Sequence, residues 1–143
     1  MNKQLKFHFN PFKEGLNQVL GALETDVMEA LWNRGESCVK DILDAFPSGR
    51  DTSYSTVITV TNRMVKKGLL KKRKVGKAFF YKPAYTREEF FEVVSKKMVE
   101  GVSGFSFQSA MVHFVDYMSR MNPDKIEYFS KLIESKRKST SRK

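Results

Sequence analysis

The stretch from Ser53 to Pro83, SYSTVITVTNRMVKKGLLKKRKVGKAFFYKP, decides how the rest of the chain is read. No Gly or Pro interrupts Tyr54 to Lys67, and Gly68 supplies a C-terminal stop, so a helix is predicted there. At about 100° per residue, Val57, Val60, Thr61 and Met64 fall on one stripe. The opposite face carries Ser55, Thr59, Asn62, Arg63 and Lys66: hydroxyls, an amide and cations, with no carboxylate. A merely solvated helix face mixes Glu with Lys for support across one turn, and this one does not. The β-branched run at Val57–Val60 also has mediocre helix propensity, so tertiary packing must hold it. Short hydrogen-bonding groups midway and cations toward the C-terminal end suit a DNA major groove. The former can approach base edges while the latter meet phosphates.

After Gly68 the pattern changes. Leu69 and Leu70 lead into Lys71-Lys72-Arg73-Lys74, then Val75-Gly76-Lys77 as a turn, then Ala78-Phe79-Phe80-Tyr81-Lys82. Gly76 is the residue best able to take the positive φ of a tight connection. Eight Lys or Arg and no Asp or Glu lie between Lys66 and Lys82. Leu, Phe and Tyr anchor two strands on a core, and the charged tip stays out. A hairpin of this kind beside a polar helix is a wing.

Upstream, Leu23, Val27, Met28, Leu31 and Trp32 make an amphipathic helix ended by Gly35, with Trp32 as a core anchor. Ser37 caps or precedes a second helix with Val39, Ile42, Leu43 and Phe46 inward, closed by Pro47 and Gly49. PSGRDT, residues 47–52, is the turn into the third helix. Two short helices, a turn and an outward polar helix give the helix-turn-helix order.

YSTVITVTNRMVKKGLLKKRKVGKAFFYKP resembles the winged-helix signature of the penicillinase-repressor family, the methicillin-resistance and copper-responsive repressors. LGALETDVMEALWNRGESCVKDIL, residues 20–43, is similar to the same family's first two helices. The resemblance is strong from Leu20 to Phe90 and continues in helical pattern to Lys136. It implies a dimeric transcriptional repressor with an N-terminal winged helix-turn-helix and a helical dimerisation domain. Thr61 departs from the large aliphatic residue usual in the family, and looser packing is expected beneath it.

The chain has 143 residues and a net charge of +10, unevenly spread: 15 basic against 8 acidic residues up to Pro83, and 11 against 8 beyond it. An excess around one helix and hairpin is an electrostatic footprint for a polyanion. No apolar run approaches the ~20 residues of a membrane span, and Met1–Leu20 is too interrupted for a signal peptide. The single Cys38 excludes an intrachain disulfide framework and fits a reducing cytoplasm, so a cytoplasmic location is expected. The four segments are then an N-terminal arm (1–20), a winged helix-turn-helix domain (21–84), a helical dimerisation domain (85–136) and a basic disordered tail (137–143). In the arm, Phe7, Phe9 and Phe12 are expected to pack their rings, and Lys3, Lys6 and Lys13 are a secondary option for DNA contact. The fold class is mainly α with a small β-hairpin wing.

From Thr86 the composition changes. Thr86 with Glu89 fits a capping box, and Phe90, Phe91, Val94 and Met98 continue an apolar face to a break at Gly101-Val-Ser-Gly104. Phe107, Met111, Phe114 or Val115, Met118 and Met121 stripe the next helix. Asn122-Pro123 then opens a last helix with Ile126, Phe129, Leu132 and Ile133 inward. These helices are too apolar to be solvated alone, so Phe90, Phe91, Val94, Met98, Phe107, Met111, Phe114, Met118, Phe129, Leu132 and Ile133 are assigned to a homodimer interface. A two-fold protein demands a palindromic operator on double-stranded DNA.

The candidate DNA contacts are Ser53, Ser55, Thr56, Thr59, Asn62 and Arg63 on the helix, with Lys66, Lys67, Lys72, Arg73, Lys74 and Lys77 on phosphates. No enzyme is expected, because His8 and His113 are far apart, Cys38 has no local histidine, and no phosphate loop or zinc spacing is present. No cofactor or metal is expected, the methionines being read as packing. The resemblance also raises the inducing signal. The copper-responsive members carry a C-terminal CxCxxxxCxC, which this tail lacks. The β-lactam-responsive members are cleaved at an Asn-Phe bond when a membrane sensor acts. The corresponding place is His113-Phe114, where the Phe matches and the Asn does not; an unidentified sensor or protease is a partner only on that ground. The alternative to a repressor is a winged-helix module for protein interaction or nonspecific nucleic-acid binding.

Overall fold

Gly21 starts the first helix, α1 (Ala22–Arg34), with its N–H donating to Glu24 Oε1 at 2.9 Å, and Gly35 at φ +83° ends it. Helix α2 (Val39–Asp44) follows, with Cys38 rather than Ser37 in the N-cap position. Helix α3 (Tyr54–Lys66) begins where Ser53 Oγ accepts the Thr56 N–H at 3.2 Å, satisfying one of the amides a helix start leaves orphaned. It stops in a Schellman motif: Gly68 N–H donates to Val65 O at 3.1 Å and Leu69 N–H to Met64 O at 2.9 Å, with Gly68 at φ +83°. Met64 and Leu69, the hydrophobic pair that accompanies this motif, are both buried.

Strands β1 (Leu70–Val75) and β2 (Ala78–Pro83) pair antiparallel, Val75 against Ala78 and Leu70 against Pro83. The loop is therefore two residues, Gly76-Lys77, and Val75 belongs to the strand. Gly76 at φ +62° followed by a residue with negative φ fits a type II′ turn, whose twist matches that of the strands. Ser37 adds a short third rung, exchanging backbone hydrogen bonds with Tyr81 at 3.0 and 2.9 Å. The core of this winged helix-turn-helix gathers Val27, Met28 and Leu31 from α1, Ile42 from α2, Val57 and Met64 from α3, and Tyr81 from the wing. Thr61 is also fully buried. Its hydroxyl donates to the carbonyls of Val57 and Ile58 at 2.9 and 3.0 Å, so the polar group is satisfied inside its own helix.

The computed structural model describes residues 5–141, in two compact units, one up to Val94 and one from Ser95. Lys3 of the arm lies outside the described residues. Leu5 and Leu20 are the arm residues that bury, and Lys6 N–H donates to Lys67 O at the end of α3, at 3.0 Å. Phe9 and Phe12 are exposed, against the expectation that the arm packs its aromatics; only Phe7 is half-buried. Residues 15–18 form a single 3-10 turn.

The fourth helix, α4 (Arg87–Met121), opens with the expected capping box: Thr86 N–H to Glu89 Oε2 and Glu89 N–H to Thr86 Oγ1, both 3.1 Å. Its break falls at Ser106 (φ −158°, ψ 92°), not at Gly101 to Gly104, which remain helical. Helix α5 (Pro123–Ser141) begins at the predicted proline, with Asp124 N–H on Asn122 Oδ1 at 2.9 Å. It continues through residues 137–141, which sequence composition left as a disordered tail. No Gly or Pro stops it there, and Thr140 Oγ1 returns to Lys136 O at 2.9 Å.

Two residues assigned to the dimer interface sit elsewhere. Phe90 is wholly buried in the first unit, its ring 5.6 Å from that of Trp32, and Val94 is buried there too. The first two turns of α4 close the core of the winged unit, with Trp32 Nε1 donating to Tyr85 O at 3.0 Å and Arg87 paired to Glu29 at 2.8 Å. The helical stripe correctly marked Phe90 and Val94 as inward; the Phe90 ring meets Trp32 of α1.

Candidate nucleic-acid interface

Burial of Val57, Val60, Thr61 and Met64 turns the other side of α3 to solvent. Ser55, Thr56, Thr59, Arg63 and Lys66 are exposed there, and no Asp or Glu occurs from Ser53 to Lys82. Near the N-terminus the hydroxyls are interlinked. Ser53 Oγ lies 2.8 Å from Thr56 Oγ1 and 3.1 Å from Ser55 Oγ, so Ser53 is primarily a cap. Thr59 Oγ1 donates to Ser55 O at 3.1 Å, which leaves its lone pairs facing outward. Tyr54, which sequence reading left off the site, is more than half exposed at the first position of the helix.

Asn62 is different from its neighbours. It is only half exposed, and its Oδ1 accepts from Lys72 Nζ at 2.9 Å and from Tyr81 Oη at 3.0 Å. The structure brings it to the wing rather than out into solvent. Lys72 is in turn held over the Phe79 ring, 4.1 Å from its centroid, and 5.7 Å from that of Tyr81. Lys74 Nζ also lies over the Phe79 ring, 5.7 Å from its centroid.

Two other cations assigned to phosphates are paired with carboxylates within the protein. Lys67 Nζ is 2.8 Å from Glu24 Oε2, on a carboxylate that α1 largely buries. Arg73 Nε donates to Glu36 Oε1 at 2.8 Å, and this guanidinium holds the Glu36 carboxyl below the usual carboxylate range, helped by the charge of Lys82. Sequence separations of 43 and 37 residues hid both pairs. Lys66, Lys71, Lys74, Lys77 and Lys82 are exposed, and no carboxylate partner for them occurs among the described residues.

Elsewhere in this unit an open groove of about 460 Å³ runs between the end of α1 and the β2–α4 junction. Trp32, Glu36, Lys82, Tyr85, Arg87 and Glu88 are among the residues that line it. Arg87 stacks 4.8 Å from the Trp32 ring, and its hydrogen bond to Glu29 holds that carboxyl below its ordinary range against the opposing effect of burial. No group of three or more His, Cys, Asp or Glu side chains able to hold a metal occurs among the described residues, and no helix among them is long and apolar enough to cross a membrane.

In the second unit none of the described residues is buried. Met98, Met111, Met118 and Phe129 are half-covered, and Phe114 packs edge-on against Phe129 at 5.7 Å. Phe105, Phe107, Leu132 and Ile133 are exposed, as is Phe91 at the edge of the first unit. His113 and Phe114 are both exposed on α4.

Comparison with known proteins agrees with this geometry. A family model described as penicillinase repressor matches residues 20–135. The transcriptional regulator BlaI of Mycobacterium tuberculosis (strain CDC 1551 / Oshkosh) is 37% identical over 102 residues, covering 68% of this chain and 72% of that protein. The methicillin resistance regulatory protein MecI of Mammaliicoccus sciuri is 25% identical over 117 residues, 82% of this chain and 94% of its own length. MecI of Staphylococcus aureus (strain N315) is 24% identical over the same span.

Proposed function

This chain belongs to the penicillinase repressor family, and on that premise we propose that it is a DNA-binding transcriptional repressor acting as a homodimer on a palindromic operator. The observation that carries this reading is the exposed face of α3: hydroxyls leading to Arg63 and Lys66, without a carboxylate, beside a cationic wing. In the reading, α3 enters the major groove, Ser55, Thr59 and Arg63 approach base edges, and Lys66, Lys72, Lys74 and Lys77 meet phosphates. Dimerisation is supported by the second unit, whose Phe105, Phe107, Phe114, Leu132 and Ile133 stay exposed in a single chain. So many exposed large apolar side chains in one small unit mark an interaction face. For regulation by a sensor-triggered protease, the relevant bond is His113–Phe114. It lies inside α4, and proteases read extended backbone, so cutting there demands local unwinding of the helix.

The test is a binding selection on a random duplex library with the purified chain at moderate salt, with sedimentation run alongside. A recovered palindrome and a dimer support the proposal. An enriched site without two-fold symmetry, or a monomer, overturns the dimeric part. Salt-sensitive binding without enrichment points to a nonspecific nucleic-acid binder, and no binding at all to a protein-interaction module.

A further inference from the structure

Asn62 has the composition of a base reader and the contacts of a brace. A carboxamide oxygen has two lone pairs, and here both are taken, by Lys72 Nζ at 2.9 Å and by Tyr81 Oη at 3.0 Å. The two donors come from opposite strands, at directly paired positions of the hairpin. Tyr81 is buried, so its hydroxyl depends on this acceptor, and a buried hydroxyl left without one is costly. Lys72 carries a flexible stem with much rotamer freedom. Its ammonium is held both by Asn62 and by the face of Phe79, whose ring centroid lies 4.1 Å away.

We propose that Asn62 is a positioning residue that locks the wing to α3, so that helix and wing meet DNA as one rigid body with the Lys72 ammonium preset. This rests on the DNA-binding reading above. An ammonium has three N–H donors, and the contact with Asn62 uses one. The charge is intact for a phosphate, and the side chain has already lost the freedom that binding would otherwise remove. The advantage of pre-ordering one such side chain corresponds to roughly 2- to 12-fold in affinity.

The test has two independent parts. In the DNA-free protein, backbone amide exchange is measured across residues 70–83 for Asn62→Ala, Tyr81→Phe and Asn62→Asp. Asn62→Ala and Tyr81→Phe are expected to speed exchange in the hairpin, while Asn62→Asp, which keeps an acceptor for both donors, retains protection. Unchanged exchange in Asn62→Ala overturns the brace, and Tyr81→Phe asks the same question should Asn62→Ala fail to fold. On the selected duplex, Asn62→Ala, Lys72→Ala and the double variant form a cycle. A double variant that binds no more weakly than Lys72→Ala establishes that Asn62 acts through Lys72. Losses that multiply, with preference relaxed at one base pair, return Asn62 to base reading. If the native protein selects no sequence, the DNA reading fails, and the exchange result still decides whether the brace exists.

Discussion

Replacing Phe90 by Ala separates the two roles this residue has been given. Its side chain is fully buried, packed at 5.6 Å against Trp32 and 6.2 Å against Phe91. Truncating a buried Phe to Ala costs ~3–5 kcal/mol, from lost transfer energy and the cavity left behind. At a slope of ~1.5 kcal/mol per molar urea, the unfolding midpoint of the winged unit should fall by ~2–3 M. The chain has one tryptophan, and it is the one touching Phe90, so Trp32 fluorescence follows this unit selectively. The shift should be the same at protein concentrations tenfold apart, and the proposed self-association, followed by sedimentation, should not weaken. Phe114→Ala should do the reverse, weakening association while sparing the Trp32 transition. A Phe90→Ala protein with an unchanged Trp32 transition and weakened association would refute the reasoning and restore Phe90 to the interface.

Other consequences follow from the same map. Arg63→Ala should cost ~1–3 kcal/mol on the selected operator and clearly less on random duplex; equal losses by titration on both remove Arg63 from base reading. Lys67→Ala should leave the salt dependence of binding unchanged, because Lys67 is spent on Glu24, and should lower stability by ~0.2–1 kcal/mol. Lys66→Ala should flatten the slope of log K against log salt by ~0.9 per protomer, and a flattening by Lys67→Ala instead would reverse the two assignments. The Glu29 carboxyl, hydrogen-bonded by Arg87, titrates below its unfolded value, so the unfolded chain binds that proton more tightly. Its stabilisation is complete above the unfolded carboxylate range and is lost as pH falls through the folded value. The pair is over a third exposed, so the effect is only a few tenths of a kcal/mol, at most ~1. Urea midpoints should show native protein ahead of Glu29→Gln at pH 7, with the lead shrinking as pH falls below the unfolded carboxylate range; the absence of any lead at pH 7 contradicts the pairing.

What was legible in the sequence was local. Gly68 ends α3, Thr86 and Glu89 cap α4, and Pro123 starts α5, because each signal acts within a few residues of itself. The apolar stripe of α3 was legible for the same reason. What stayed hidden depended on distant partners. Periodicity marks which face of α4 is apolar, and Trp32, 58 positions before Phe90, decides that its first turns belong to the winged unit. The helix break illustrates a second limit. Glycine allows a break without requiring one, and Gly101 and Gly104 stay helical while Ser106, with no local signal, takes the extended conformation. At the C-terminus a polar composition argued for disorder, yet nothing in residues 136–141 interrupts helical hydrogen bonding.

The wing carries this contrast into function. As a string, Lys71-Lys72-Arg73-Lys74 is a uniform block of charge. Folded as a strand it is sorted by the pleat, since successive side chains go to opposite faces. Lys72 and Lys74 share a face with their partners Tyr81 and Phe79, and Tyr81 reaches Asn62, so this face adjoins α3. Lys71, Arg73 and Lys82 occupy the other face, where Glu36 binds Arg73 and draws on the charge of Lys82. The α1 carboxylate Glu24 likewise takes Lys67 from the core side of α3. Acidic residues of the platform thus take two of the cations turned away from the exposed face of α3, Lys67 and Arg73, while Lys71 has no carboxylate partner among the described residues. Arg63, Lys66, Lys72 and Lys74, on or beside that face, have no carboxylate partner among the described residues. The two-residue periodicity of one strand thus divides the wing's charge between a face that adjoins α3 and carries no carboxylate, and an opposite face where Glu36 offsets part of it.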